Sequence, residues 1–355
     1  MAVDYKREFQ TLIDLIVEEK ASDLHFSVGA HPLIRVVGSL IPLVKKPILT
    51  DTDLNAFAKI LMREDQYDRY LEYNEIDFSY ESAAGVRFRG NAFYQRGRMG
   101  IALRLIPNVI RSIEELNLPP ILESFTQRPQ GFFLCVGPVG QGKSTTLAAM
   151  VNMINKTRSE HIVTIEDPIE YVYQEEKALI DQREISIDTK SFEQALTAAL
   201  RQDVDVILVG EMRNTETISA AVTAAETGHL VYSTLHTNDA AQTISRIVDS
   251  FPAAQQAQVR IQLAGSLIAI FSQRLIPHIA GGLVPAYELL INNSAVSNLI
   301  RENRIHEIGS VIETGLEQGM IDMNRCLARM VQNGDITIEN AFAHAVNPKG
   351  LERLL

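Results

Sequence analysis

The nine residues Gly137-Pro138-Val139-Gly140-Gln141-Gly142-Lys143-Ser144-Thr145 leave this chain few folds to choose from. They fit the pattern G-x-x-x-x-G-K-[ST], and the flanking sequence has the order that pattern needs. Residues 131–136 are a short apolar run of the kind that forms a buried strand. Residues 146–154 are good helix formers with one apolar face. Strand, glycine loop and helix predict an α/β domain built to hold phosphate. Glycines let the backbone approach an anion closely, so that amide N–H groups point inward. The following helix contributes the positive potential of its N-terminus. Lys143 is then placed to reach β- and γ-phosphates, and the Ser144 hydroxyl to hold Mg²⁺.

The 355 residues suffice for two or three domains, and 46% apolar with 22% charged residues is ordinary globular composition. No apolar run reaches the 18 residues of a membrane span, and the first residues lack a basic-then-apolar signal segment. A soluble, non-exported protein without a transmembrane segment is therefore expected. Cys135 and Cys326 are too few for a disulfide framework or a four-cysteine zinc site. A net charge of −11 argues against unselective nucleic-acid binding, and no nucleic-acid partner is expected, although a local basic channel stays possible.

Phe9, Leu12, Ile13 and Ile16 recur at helical spacing behind the capping residue Asp4. Residues 22–28 and 33–38 then read as strands, 50–71 as helical, and 77–80, 86–94 and 100–106 as three more strands. Residues 1–106 thus form a small α+β domain, with Pro107 to Ser112 as a linker or hinge. That domain carries Arg87, Arg89, Arg96, Arg98 and Arg104. Period-2 alternation puts Arg87 and Arg89 on one face and Val86 and Phe88 on the other. The arginines are either a solvated face or a set of guanidiniums aimed at phosphate.

The second domain runs from 113 to 355. In it, the apolar strand 162–165 ends in Glu166-Asp167-Pro168-Ile169-Glu170, acids at a strand's carboxyl end suited to Mg²⁺ or to an attacking water. The strand 204–209 ends at Glu211, an acid placed as in a Walker-B element and a second candidate metal residue beside Ser144. A third strand, after Thr227-Gly228, has His229 at its start and His236 at its end. Position favours His236 for sensing the γ-phosphate, whereas His229 belongs to the other edge unless the strand bends. Leu263, Leu267, Ile270 and Phe271 read as one stripe of a helix ending near Pro277. Residues 284–290 read as a last strand, and 295–301, 321–332 and 338–342 as helices of a C-terminal bundle.

Taken together, the chain resembles the secretion and pilus ATPase superfamily, and within it the type IV pilus retraction ATPases. The marks are Ala21-Ser22-Asp23-Leu24-His25, the loop at 137–145, the acidic segment 164–171, the region 207–213 and the histidine-flanked segment 227–237. The resemblance implies a PAS-like N-terminal domain, a RecA-like ATPase domain and a homohexameric ring. It implies Glu166 as catalytic glutamate, Glu211 as Walker-B acid and His229 as the histidine reaching the nucleotide. It gives Arg89, Arg96 and Arg104 the role of closing over phosphate. It also implies ATP and Mg²⁺, an inner-membrane pilus platform protein as partner, and a cytoplasmic place at the pilus base. The start almost directly at the PAS-like domain and the lack of a four-cysteine element favour retraction over assembly or type II secretion. Departures are Val139 and Gln141 where Thr and Ser are usual, Asn214 where Asp is common, and Ser297 in place of an arginine. These leave a divergent paralogue as an alternative, beside a pilus or type II secretion assembly ATPase and, separately, a non-hydrolysing nucleotide-dependent regulatory ring.

Overall fold

The computed structural model describes residues 4–36, 38–106 and 109–355. The chain divides into two compact units, Met1–Val109 and Ile110–Leu355. Of the expected linker, Pro107 and Asn108 lie outside the described residues. Just beyond them Ser112 and Glu115 cap each other reciprocally, side chain to backbone N–H, at 2.7 and 3.1 Å.

The first unit holds a six-stranded antiparallel sheet of β1 (Asp23–Ser27), β2 (Leu33–Val36), β3 (Ser39–Pro42), β4 (Glu75–Glu81), β5 (Arg87–Gln95) and β6 (Arg98–Ile106). The spatial order is β3-β2-β1-β6-β5-β4. Leu24, Phe26, Phe88 and Leu103 share a core with Phe9, Leu12 and Ile16 of the helix Tyr5–Glu18 and with Leu54 and Phe57 of the helix Asp51–Leu61. The alternate residues of β1, β5 and β6 point to the opposite face, where the charges are. The helical stretch expected at 50–71 is two helices, Asp51–Leu61 and Glu64–Tyr73. The first is started by a capping box in which Thr50 and Asp53 satisfy each other's backbone N–H.

The second unit holds a seven-stranded sheet, β13-β12-β7-β11-β10-β8-β9 in space. Its members are β7 (Gly131–Val136), β8 (His161–Glu166), β9 (Leu179–Glu184), β10 (Val206–Val209), β11 (Leu230–Leu235), β12 (Leu267–Pro277) and β13 (Leu283–Ile291). β12 through β9 run parallel, and β13 is antiparallel on β12. β7 is buried along its whole length because both its faces are covered. Phe132, Leu134 and Val136 pack on one side with the helices Thr215–Glu226, Ala240–Asp249 and Ala253–Ser266. Phe133 and Cys135 pack on the other with the helices Lys143–Thr157 and Met323–Asn333.

One expected element is wrong. The stripe of Leu263, Leu267, Ile270 and Phe271 is not a single helix: the helix stops at Ser266, and Leu267–Pro277 is the longest strand of the sheet. A segment with almost every position apolar satisfies the helical template and the buried-strand template alike. The decision falls to β7 and β13, which pair with both edges of this segment.

Candidate functional site

Parallel strands bring their carboxyl ends to one edge, and four of the predicted groups meet there. β7 runs into the glycine loop. β11, its neighbour, ends in His236; β10, the next, ends in Glu211; β8, the third, ends in Glu166. The loop turns through Gly137, Gly140 and Gly142, all at positive φ. At Gly137 only glycine fits, since a Cβ there would stand 2.5 Å from the Gln273 carbonyl oxygen.

Lys143 is buried at the first turn of the helix Lys143–Thr157. Its ammonium donates to the carbonyls of Gly137 and Pro138, each at 2.9 Å, and meets His236 Nδ1 at 3.2 Å. An ammonium has no acceptor, so Nδ1 must accept and the ring proton sits on Nε2. That Nε2–H faces Glu211 Oε1 at 3.1 Å, and the other Glu211 oxygen receives Arg213 Nε at 2.9 Å. Lys143, His236, Glu211 and Arg213 therefore form one unbroken polar chain across three strand ends. Burial, with Lys143 beside it, holds His236 below its ordinary pKa, in keeping with a neutral ring. Burial also lowers the pKa of Lys143.

Glu166 is 8% exposed. Thr164, on the same face two residues back, donates to Oε1 at 2.7 Å, and the Glu170 N–H donates to Oε2 at 3.3 Å. Burial outweighs these hydrogen bonds and pushes the carboxyl up to about 7. Gly210 packs against it, where a Cβ would lie 3.4 Å from the Glu166 Cα. Asp167 and Glu170, the other acids of that segment, are exposed. A carboxyl poised near neutrality at the sheet edge that carries a phosphate-binding loop has the properties of a general base.

Ser144 stands next to Lys143 at the head of the same helix, and Thr145 Oγ1 bonds the Tyr171 hydroxyl at 2.8 Å. The Ser144 hydroxyl and the Glu211 carboxylate are hard oxygen donors. A few such donors suit Mg²⁺, which keeps several waters and takes phosphate oxygens for the rest. Val139 and Gly140 are exposed at the loop tip, and Pro138, Gln141 and Gly142 are half-buried.

His229 stands apart from these groups in its own chain. It precedes β11, and β11 pairs with β7 from Leu230 opposite Gly131 to Leu235 opposite Val136. His229 therefore lies at the amino end of the sheet, a full strand length from its own chain's glycine loop. Its Nδ1 is 3.0 Å from the Ala224 carbonyl. Within this chain it is His236 that reaches the glycine loop, through Lys143.

The arginines of the first unit do not form a single cluster. Arg96, at positive φ, and Gly97 make the tight turn between β5 and β6. Arg89 pairs directly with Arg104 further along the same two strands, six residues from the turn on the β6 side. A row runs across the sheet from Arg35 to Asp23, Arg104 and Arg89. Asp23 is nearly buried and takes Arg104 Nε at 3.0 Å. Its burial would raise its pKa, yet hydrogen bonds from Ser22 and Arg104 hold it below the usual carboxylate range. Arg104→Ala should therefore lower the stability of this unit by about 1–2 kcal/mol, the cost of leaving a buried acceptor short of a donor. The loss should fade as pH drops and Asp23 protonates. Arg89→Ala should not lower stability, because two like charges face each other there. Thermal unfolding of the two variants at neutral and acid pH compares them; equal melting points at neutral pH would remove the role given to Asp23.

Two groups went unmarked in the sequence. Gln273, on β12, hydrogen-bonds the glycine loop. Arg274 donates to the carbonyl and side-chain oxygens of Asn238, both at 3.1 Å, in the loop that carries His236. Reading 267–277 as helix hid them, since only a strand beside β7 brings them to this edge.

Known proteins are similar to this chain over nearly its whole length. A family model described as type II/IV secretion system protein matches residues 5–324. The type IV pilus retraction ATPase PilT of Pseudomonas aeruginosa is 45% identical over 95% of this chain and 98% of its own. A twitching motility protein of Neisseria gonorrhoeae is 47% identical over 90% of this chain and 86% of its own. A crystal structure of the pilus retraction motor PilT with bound ADP superposes with a TM-score of 0.91 at 46% identity, covering 96% of this chain and 98% of that one. With a family match that runs through both units, the chain belongs to the type II/IV secretion system protein family.

Proposed function

We propose that this chain is an ATP-hydrolysing motor that drives retraction of type IV pili. The observation that carries the proposal is the carboxyl-edge constellation of Lys143, Glu166, Glu211 and His236, in a chain similar over nearly its whole length to pilus retraction ATPases. The glycine loop and Lys143 grip the phosphates. Ser144 and Glu211 would hold Mg²⁺, which would supply neutralisation of charge on the triphosphate. Glu166, as carboxylate, takes a proton from the attacking water, and ADP leaves with the bond to the γ-phosphorus broken. His236 links Lys143 to Glu211, so a shift of the lysine onto phosphate is felt at Arg213.

The family resemblance supports a homohexamer and an inner-membrane platform protein as partner, with the motor on the cytoplasmic side of that membrane. No helix among the described residues is long and apolar enough to cross it. Arg89 is the best placed of the arginines to serve phosphate, because it is exposed and faces a like charge that an anion would relieve. Arg96 and Arg104 are proposed for the same service more weakly, one in a turn and the other tied to Asp23. The purified protein should release phosphate from ATP in a Mg²⁺-dependent reaction, and cells lacking the gene should extend pili that no longer shorten. Nucleotide binding without phosphate release would favour a regulatory ring instead.

A further inference from the structure

β12 pairs with β7 only as far as Ser272 opposite Val136. Beyond that point β7 has become the glycine loop, and the edge of β12 still carries backbone and side-chain groups facing it. The loop supplies their partners. The Leu275 N–H donates to Gln141 Oε1 at 2.6 Å. The Gln273 amide is 2% exposed and spans the loop and the helix behind it. Its Nε2 donates to the Gln141 carbonyl at 2.7 Å, and its Oε1 accepts from Thr146 Oγ1 at 2.6 Å. Gly142 lies so close that a Cβ would stand 2.9 Å from Gln273 Nε2.

In a trans peptide the carbonyl and the next N–H point in opposite directions. A Gln141 carbonyl held on β12 therefore turns the Gly142 N–H away from β12, toward the hollow of the loop. We propose that Gln273 is a positioning residue for triphosphate binding, which aims the Gly142 N–H by holding the Gln141 carbonyl, with the Gln141 side chain as a second tie to the same strand. A serine at 141 would be two atoms shorter in reach and would lose the tie to Leu275. The proposal rests on the ATP-hydrolase reading above.

Gln273→Glu separates the two ends of the amide. It keeps an oxygen for Thr146 and sets a second oxygen against the Gln141 carbonyl. Affinities for ATP and for inorganic tripolyphosphate should fall together by about tenfold or more, as for a lost hydrogen bond to a loop that binds charge. KM should rise while kcat at saturating ATP changes much less, since the loss falls on ground state and transition state alike. Wild-type affinity for both ligands in a folded Gln273→Glu protein would overturn the proposal, whatever its melting temperature, because a purely structural role moves only the latter. If that variant does not fold, Gln273→Met serves: it keeps length, adds no charge and cannot hold the Gln141 carbonyl, so a weakened grip on tripolyphosphate is again expected, with unchanged binding the contrary result. Failure of the wild-type protein to bind ATP would instead dismiss the ATP-hydrolase reading itself.

Discussion

Glu166→Gln should bind ATP and hardly turn it over, with kcat lower by about 10²–10⁴, the usual worth of a positioned general base. The amide fills the same volume and still accepts from Thr164, so the change is confined to the other oxygen, which accepts from the Glu170 N–H at 3.3 Å and becomes an NH2 group. What it lacks is a site for the proton of the attacking water. The pH dependence sharpens the test. Burial pushes the Glu166 carboxyl up to about 7 against the pull of its hydrogen bonds, so the wild-type rate should climb through an acid limb near neutrality as the base ionises. The variant's residual rate should be flat there. Stability moves the other way. A carboxyl whose folded pKa lies above its unfolded value favours the fold while protonated and loses that contribution as pH rises toward 7. Glu166→Gln should therefore gain on the wild type in melting temperature between pH 5 and 8. A variant that hydrolyses ATP at the wild-type rate removes Glu166 from the chemistry. A wild-type rate that is level across neutrality removes it from the role of base.

Much of this site was legible because its chemistry is local in sequence. The glycine loop lies within nine consecutive residues, and its strand and helix flank it directly. Glu166 closes the largely apolar strand His161–Glu166 and Glu211 follows the wholly apolar Val206–Val209, and the parallel topology alone delivers such residues to one edge. Other features depended on which strands become neighbours, and a single sequence does not carry that. His229 and His236 flank the same strand and differ only in the end they occupy, and only the sheet shows which of them stands at the glycine loop of its own chain. The arginines stood close in sequence, but only the β5–β6 register separates Arg96 in the turn from the Arg89 and Arg104 pair. Gln273 and Arg274 were invisible while their segment read as helix. Its apolar residues fit both periods, and its polar ones acquire meaning only with β7 alongside.

Lys143→Ala should fail one step earlier, at binding. The ammonium is buried, and it is the one side-chain cation of the loop itself. Truncating one partner of a buried, hydrogen-bonded charge pair costs about 2–5 kcal/mol, so the Kd for ATP with Mg²⁺ should rise by roughly 30-fold to several thousandfold. Two further effects act in the same direction. The Gly137 and Pro138 carbonyls lose their donor, which frees the first turn of the loop, and His236 loses the group that fixes its tautomer. Titration calorimetry on this variant and on Glu166→Gln then separates grip from chemistry: one retains the heat of binding without turnover, and the other loses the heat. Comparable binding heats for Lys143→Ala and wild type would mean that the loop holds its ligand through backbone N–H groups alone. The polar chain from Lys143 to Arg213 would then have no part in sensing the triphosphate, and the coupling from phosphate to Glu211 would have to be sought through Ser144.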